Sequence, residues 1–394
     1  MHTGIFGGCF DPPHRGHLAV AESALQIANL DKIIVIPANT ASNNKLTINA
    51  LPEDRLEMCR LCFGSDSRFT VSDIEATKSG FTPTVQTVER IQKQLHHDDT
   101  ISLIIGADKL ESLPNWIRAD DLFRLCDFIV YPRDGIDVQR QVELLRTRGA
   151  RIQVLDVPEV SGASGKIQSL LTRYEKPAEL TDEVTAYIAE HWLYLDKTIL
   201  EVEQMMSQKR WNHTLGVRKQ AVEYALLHSI NPLEAALAAL LHDSAKCLPF
   251  ENMLNLAREA GISNPTFLSS PAMLHGPVGA YIAKTQFYVT NPDVLNAISY
   301  HTVGRAEMSK LEMCIFVADA TEPGREQYPG LKRLRKLAAR SLEAAVLLSL
   351  TLTKQYILES GKQFNPISDA TIRWITSLVP EELIPLTLAT QTEK

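Results

Sequence analysis

Two groups of residues in this chain have types and spacings suited to chemistry. His242-Asp243 follows directly on the run Leu237-Ala238-Ala239-Leu240-Leu241, so an imidazole and a carboxylate arrive together at the end of an apolar helix. Left unpaired in an apolar interior, each would cost several kcal/mol, roughly the whole stability margin of a domain. A metal ion removes that cost. Other ionisable residues recur at helix-like ends: His213, His275, His301 and Asp319, giving the order H, HD, H, H, D along the chain. The second group is Cys9-Phe10-Asp11-Pro12-Pro13-His14-Arg15-Gly16-His17. His14 and His17 are three apart and can face one ligand at the start of a helix. Two imidazoles there can donate to phosphate oxygens while charge develops in phosphoryl or nucleotidyl transfer.

The elements that must position these groups follow from local pattern. For His242-Asp243, Asn231 predicts an N-cap, Pro232 the first helical position, and Glu234, three residues after the cap, a capping box. For His14 and His17, residues 2–6 read as a short strand broken by Gly7-Gly8. A helix then runs from about 16 to 29 on an apolar stripe of Leu18, Ala21, Ala24, Leu25 and Ala28. Backbone N–H groups at such a glycine turn, added to the helix dipole, make a phosphate cradle. Beyond Tyr194 the pattern changes to nearly continuous helix, across the short polar junction Leu195-Asp196-Lys197.

Composition bounds the rest. The chain has 394 residues, too many for one ordinary core, so two domains are expected, 1–195 and 198–394. Apolar residues make up 45% and charged ones 22%, and the net charge of −7 lacks the basic footprint of a nucleic-acid binder. The six cysteines are scattered and no secretory pattern precedes the first strand, which predicts reduced thiols and a cytoplasmic protein. Cys59 and Cys62 lie in a helical pattern with no second cysteine pair, so they read as packing. No apolar run reaches the roughly 18 residues needed to span a bilayer.

Gly7-Gly8-Cys9-Phe10-Asp11-Pro12-Pro13-His14-Arg15-Gly16-His17 resembles the G-G-x-F-D-P-x-H-x-G-H signature of the nicotinate-nucleotide adenylyltransferases, within the HxGH nucleotidyltransferase superfamily. Lys32-Ile33-Ile34-Val35-Ile36-Pro37 is similar to that family's second strand. Ile104-Ile105-Gly106-Ala107-Asp108, Leu113-Pro114-Asn115-Trp116 and Phe128-Ile129-Val130-Tyr131 are similar to later segments, and residues 186–194 to its closing helix. The resemblance implies an α/β Rossmann-like parallel-sheet domain that transfers the adenylyl group of ATP to nicotinate mononucleotide, giving deamido-NAD and pyrophosphate with Mg2+ assisting. His14 and His17 would be catalytic. Gly7, Gly8, Phe10, Lys45, Gly106, Asp108, Trp116 and Ser164 would hold nucleotide or phosphate. Three segments depart from the family: Ser42-Asn43-Asn44-Lys45 stands where it usually reads P-P-H-K, Gln168 stands where an arginine would hold ATP phosphates, and Thr82-Pro83-Thr84-Val85-Gln86-Thr87 lacks the usual tyrosine and aspartate. Gln cannot supply a bidentate cationic fork.

Further along, Arg210-Trp211-Asn212-His213, Leu241-His242-Asp243-Ser244-Ala245-Lys246, Leu274-His275-Gly276-Pro277, Tyr300-His301-Thr302 and Val317-Ala318-Asp319-Ala320-Thr321-Glu322-Pro323-Gly324-Arg325 resemble the HD-domain symmetrical bis(5′-nucleosyl)-tetraphosphatases. This implies an all-α domain that hydrolyses diadenosine tetraphosphate to two ADP on a di-iron or manganese centre. Two such ions, about 3.5 to 4 Å apart, activate a water and hold the attacked phosphate. On this resemblance His213, His242, Asp243 and Asp319 would hold one ion, and His275, His301 and a bridging Asp243 the other. Asp243 and Lys246 would be catalytic, with Arg305 and Arg325 as phosphate partners. The partners expected are ATP, nicotinate mononucleotide and diadenosine tetraphosphate, with no nucleic acid, no membrane and a homodimer as an assembly. One alternative keeps the hydrolase and makes the first domain a non-catalytic nucleotide sensor. Another, a nucleic-acid-binding or nuclease HD protein, is disfavoured by the acidic balance.

Overall fold

Six runs of alternating or continuous apolar residues build one sheet in the first part of the chain: β1 (His2–Gly8), β2 (Lys32–Pro37), β3 (Phe69–Val71), β4 (Thr100–Gly106), β5 (Asp127–Tyr131) and β6 (Ile152–Val154). The computed structural model describes residues 1–39, 49–77, 80–133, 137–157 and 163–388. All neighbouring strands are parallel, in the order β3-β2-β1-β4-β5-β6. The order reverses between β1 and β4, and open sheets of this kind bind ligands in the crevice at the strands' carboxyl ends. Those ends are Gly7-Gly8 and Gly106.

Helices accompany the strands: α1 (Arg15–Ile27), α2 (Pro52–Phe63), α3 (Thr84–Gln92), α4 (Ala119–Leu125), α5 (Val138–Thr147), α6 (Ala163–Thr172) and α7 (Asp182–His191). The glycine pair expected to break the first strand instead continues it, Gly7 and Gly8 standing opposite Ile36 and Pro37 of β2. A Cβ on Gly8 would meet the Phe10 ring at 3.2 Å, so the bare backbone lets that ring fold back over the strand end. Phe10 has a left-handed backbone, φ +47°, which its surroundings enforce. Its ring is 2% exposed and packs edge-on against Phe6 at 5.4 Å. Beneath this turn, Arg55 of α2 is fully buried and donates to the carbonyls of Cys9 (2.7 Å), Asn39 (3.0 Å) and Ala50 (3.3 Å). One guanidinium thus satisfies backbone groups from three separate stretches around the crevice.

By contacts the chain divides into Met1–Tyr187 and Ile188–Lys394. The second unit is helical: α8 (Gln208–Leu227), α9 (Pro232–Leu241), α10 (Phe250–Glu259), α11 (Pro265–Leu268), α12 (Pro271–Thr285), α13 (Pro292–Tyr300), α14 (Lys310–Thr321), α15 (Leu331–Ala338), α16 (Leu342–Glu359) and α17 (Pro366–Thr376). α9 is buried on every side, the condition of a helix that is apolar all round. It packs against α8, α12, α13 and α14. Asn231 caps it, accepting from the Leu233 amide at 3.1 Å. The expected capping box does not form, because the Glu234 carboxylate accepts instead from Asn291 Nδ2 at 3.1 Å, tying α9 to the cap of α13. No helix among the described residues is long and apolar enough to cross a membrane.

Candidate functional site

In the second unit, five helices deliver six side chains to one place. His213 comes from the first half of α8, His242 and Asp243 from the end of α9, His275 from α12, His301 from the end of α13 and Asp319 from the last turn of α14. Close helix approach allows this. A Cβ on Gly276 would meet the Ser299 carbonyl of α13 at 2.6 Å, and one on Gly279 would meet Ser244 Oγ at 3.1 Å.

Each imidazole is oriented by its outer nitrogen. His242 Nδ1 lies 2.6 Å from the Ala239 carbonyl, His301 Nδ1 2.7 Å from the Ile298 carbonyl, and His275 Nδ1 3.3 Å from the Pro271 carbonyl. His213 Nδ1 is 3.1 Å from Glu322 Oε1. All four partners are acceptors, so Nδ1 carries the proton and Nε2 presents a lone pair inward. Those lone pairs surround Asp243. Its Oδ2 is 3.3 Å from His242 Nε2 and 3.9 Å from His213 Nε2, and its Oδ1 is 3.2 Å from His275 Nε2 and 3.7 Å from His301 Nε2. Asp319 Oδ1 lies 3.0 Å from His213 Nε2. Lone pairs facing carboxylate oxygens call for a cation between them. His213 Nε2, His242 Nε2 and Asp243 Oδ1 are accordingly buried with no hydrogen-bond partner.

Among the described residues, two triads hold ligand atoms within 4.8 Å of one another: His213, His242 and Asp319, and His242, Asp243 and His301. Protonation suits ligation at Asp243, Asp319 and His301. At His242 burial lowers the imidazole but Asp243 and Asp319 raise it above its ordinary value, so a metal ion on its Nε2 would take the place of a proton. Burial opposes charge on Asp243, but His242, His275 and His301 hold its carboxyl well below the usual range. Burial likewise opposes charge on Asp319, and His213, His242 and Arg325 hold it well down. His301 is lowered to about 3 by burial and by His275 and His242, which keeps it neutral. The donor set therefore fits divalent ions of the transition series.

Cations ring this cluster. Lys246 Nζ lies 3.1 Å from His275 Nε2 and 3.9 Å from Asp243 Oδ1. Arg325 donates to Asp319 Oδ1 at 2.5 Å. Arg305, expected to meet phosphate, closes its fork on the buried Glu312 carboxylate at 2.5 and 2.8 Å, over the Tyr300 ring. Three neighbours went unread in the sequence: Arg210, which donates to Asp243 Oδ2 at 2.7 Å; Glu322 behind His213; and Thr302, whose hydroxyl lies 3.3 and 3.2 Å from the Nε2 atoms of His275 and His301. Their signal was spacing, since Arg210 is one turn before His213 and Glu322 one turn past Asp319.

In the first unit a cavity of about 760 Å3 opens at the strand ends, lined by Gly7, Gly8, Phe10, His14, His17, Gly106, Asp108, Trp116 and Ser164. His14 caps α1, and its ring lies 3.8 Å from that of His17, centre to centre. The His14 amide donates to His17 Nδ1 at 3.3 Å, which places the His17 proton on Nε2. Burial, with Arg133 nearby, lowers His14 to about 4. Burial, His14 and Arg133 hold His17 well below its ordinary value. Both are therefore neutral donors at ordinary pH.

Asp108 is paired with Lys109 at 2.9 Å and with Arg133 at 3.6 Å, placing two cations at the cavity wall that the sequence reading did not single out. Gln168 lines the cavity but is engaged. It donates to the Asp11 carbonyl at 2.7 Å and accepts from Asn49 Nδ2 at 2.8 Å. Lys45 lies outside the described residues.

Residues 5–165 match the cytidylyltransferase-like family model and residues 210–324 the HD domain, a fold that implies a divalent metal. A Mycoplasma genitalium protein named "Probable nicotinate-nucleotide adenylyltransferase/Ap4A hydrolase" is 31% identical over 90% of this chain and 98% of its own length. The second half alone is similar to a Bacillus subtilis protein named "Bis(5'-nucleosyl)-tetraphosphatase, symmetrical", 35% identical over 45% of this chain and 94% of that protein. The first half is similar to a Synechococcus "Probable nicotinate-nucleotide adenylyltransferase", 36% identical over 49% of this chain and 94% of that protein. With a six-stranded parallel sheet ending in a histidine-lined cavity, a helical unit converging on Asp243, and a relative matched along both, the chain belongs to the nicotinate-nucleotide adenylyltransferase/Ap4A hydrolase family.

Proposed function

We propose that the chain carries two nucleotide chemistries: adenylyl transfer from ATP to nicotinate mononucleotide in residues 1–195, and hydrolysis of diadenosine tetraphosphate to two ADP in residues 198–394. The observation that carries the second is the convergence of four imidazole Nε2 atoms and the carboxylates of Asp243 and Asp319 on one place, a donor set for divalent ions. His213, His242, Asp243 and Asp319 would hold one ion, and His275, His301 and Asp243 the other, manganese or iron by ligand type. When bound, such ions supply an activated water and charge for the attacked phosphate. Lys246, next to both His275 and Asp243, is placed to bind a phosphate oxygen, and Arg325 would leave Asp319 for a second one.

In the first unit, His17 Nε2–H and the neutral His14 ring would donate to the α-phosphate as its charge develops, with Mg2+ accompanying ATP. Gly7 and Gly8 leave room for the chain of phosphates, and Trp116 gives the pyridine an aromatic wall. The engagement of Gln168 with Asp11 and Asn49 favours a second reading, in which the first unit binds nucleotide without turning it over.

The purified chain is tested separately with nicotinate mononucleotide plus ATP and with diadenosine tetraphosphate, with products identified by mass. Deamido-NAD in the first reaction excludes the second reading. Asp243→Ala and His275→Ala should each abolish ADP release while keeping the helical circular-dichroism spectrum. Undiminished turnover by either folded variant would sink the metal assignment.

A further inference from the structure

We propose that Arg210 is a phosphate-binding residue of the second unit's site, held on Asp243 when no metal is bound and transferred to the substrate's phosphate when metal takes that carboxylate. The inference rests on the metal-hydrolase reading of the site. Arg210 Nη1 lies 2.7 Å from Asp243 Oδ2, a shorter approach than any of the four imidazoles makes to that carboxylate. Asp243 is the one carboxylate placed between both sets of imidazoles, so a guanidinium on Oδ2 competes there with a divalent ion for the same negative charge. A divalent ion on Oδ2, at the roughly 2.0–2.2 Å usual for a carboxylate ligand, would face the guanidinium as like charge. A lysine in that position could lose its proton, but arginine stays charged in proteins, so Arg210 must move.

Arg210 is able to move. Its side chain is 30% exposed, whereas that of Asp243 is 3% exposed, so the arginine lies on the open side of the carboxylate. It stands in the first turn of α8, one turn before His213, which keeps its head close to the cluster after release. An anion must then receive it. The substrate brings phosphate oxygens to the same ions, and a guanidinium fork matches phosphate geometry bidentately. Asp319 and Arg325 repeat the arrangement at 2.5 Å, so each of the two carboxylates of the cluster carries an arginine.

The sign of the metal effect separates this role from a structural one. If Arg210 merely braced Asp243, its removal would loosen the ligand and weaken metal binding. If it competes with metal and then serves phosphate, its removal leaves metal binding equal or tighter and weakens phosphate binding.

The test uses the full chain as wild type, Arg210→Gln and Arg210→Lys. Manganese(II) is titrated into chelator-treated protein, ADP into manganese-loaded protein, and hydrolysis of diadenosine tetraphosphate is followed. The expected result for Arg210→Gln is manganese affinity unchanged or up to about tenfold tighter, ADP affinity at least fivefold weaker, and KM raised more than kcat is lowered. Arg210→Lys, which keeps the charge without the fork, should recover part of the ADP affinity and serves as the folded comparison if the glutamine variant misfolds. Weakened manganese binding, or ADP binding unchanged in both variants, overturns the proposal. A wild type that binds manganese and ADP but releases no ADP from diadenosine tetraphosphate counts against the hydrolase reading, and the binding comparison still decides the role of Arg210.

Discussion

Glu322 contributes no atom to the ring of ligands around Asp243, yet it decides how His213 faces them. Its Oε1 lies 3.1 Å from His213 Nδ1, and its other oxygen accepts from the Gly324 amide at 2.5 Å, so the carboxylate is itself held in place. Partners of this kind fix tautomer and ring angle, and their loss typically costs 10–100-fold in metal affinity. Glu322→Ala should show that loss in a manganese titration with the helical spectrum intact; an unchanged affinity would mean that packing alone orients His213. In the other unit, His14 makes a prediction about pH. Burial lowers it from 6.5 to about 4, so the folded chain holds it neutral while the unfolded chain protonates near 6.5. Between those values the unfolded state binds more protons. The stabilisation is therefore complete above pH 6.5 and is lost as pH falls toward 4, in total about 3 kcal/mol. The sign follows from burial of the neutral form. Histidine-resolved NMR should find the His14 ring titrating near 4. Between pH 7.5 and 5, His14→Gln should lose about 2 kcal/mol less than wild type in denaturant unfolding of the first unit.

Elements explain which parts of the site could be read from sequence. His242 and His301 were legible because each follows the end of an apolar helix, where an ionisable side chain has no packing reason to be; His213 and His275 lie inside α8 and α12 and were legible only through the order H, HD, H, H, D along the chain. Arg210 and Glu322 were not, because an arginine in a first turn and a glutamate after a last turn also occur on solvated surfaces. β3 (Phe69–Val71) and β6 (Ile152–Val154) are three-residue edge strands, too short for a period-two pattern to show. Gly7-Gly8 misled for another reason. Glycine marks a turn in most contexts, but here the pair continues the strand, and Gly8 must stay bare beneath the Phe10 ring. Gly276 gives the matching prediction for helices. By helix propensity alone Gly276→Ala should stabilise α12 by about 1 kcal/mol. However, the added Cβ would meet the Ser299 carbonyl at 2.6 Å and the Ile298 carbonyl at 3.2 Å, and backbone cannot swing aside. Overpacking of about 1–3 kcal/mol should win. It would separate α12 from α13 and with them His275 from His301, now 3.0 Å apart at Nε2. The variant should show a lower denaturation midpoint together with weakened manganese binding, whereas a stabilised protein with normal metal affinity would show that α12 can shift freely.

At the scale of the whole chain, the described residues of each site come from one unit, and the two sites differ in the metal chemistry they suit. The Asp243 cluster offers four imidazoles and two carboxylates, a donor set for manganese, iron or zinc; magnesium prefers all-oxygen surroundings and keeps its waters. On the proposed function, the cavity at the β1 and β4 ends would need only the magnesium that travels with ATP. Chelation followed by selective return of metal should therefore separate the activities. Stripped protein should release no ADP from diadenosine tetraphosphate but stay folded, since Arg210, Lys246 and Arg325 still neutralise Asp243 and Asp319. Returning magnesium should restore deamido-NAD formation while hydrolysis stays near zero, and returning manganese should restore hydrolysis. Manganese at one hundred times its dissociation constant should also stabilise the second unit by about 2.7 kcal/mol, visible as a raised transition for that unit alone. Hydrolysis recovered equally by magnesium would mean that the carboxylates and phosphates carry the metal without the histidines, and the assignment of His213, His242, His275 and His301 as ligands would fall.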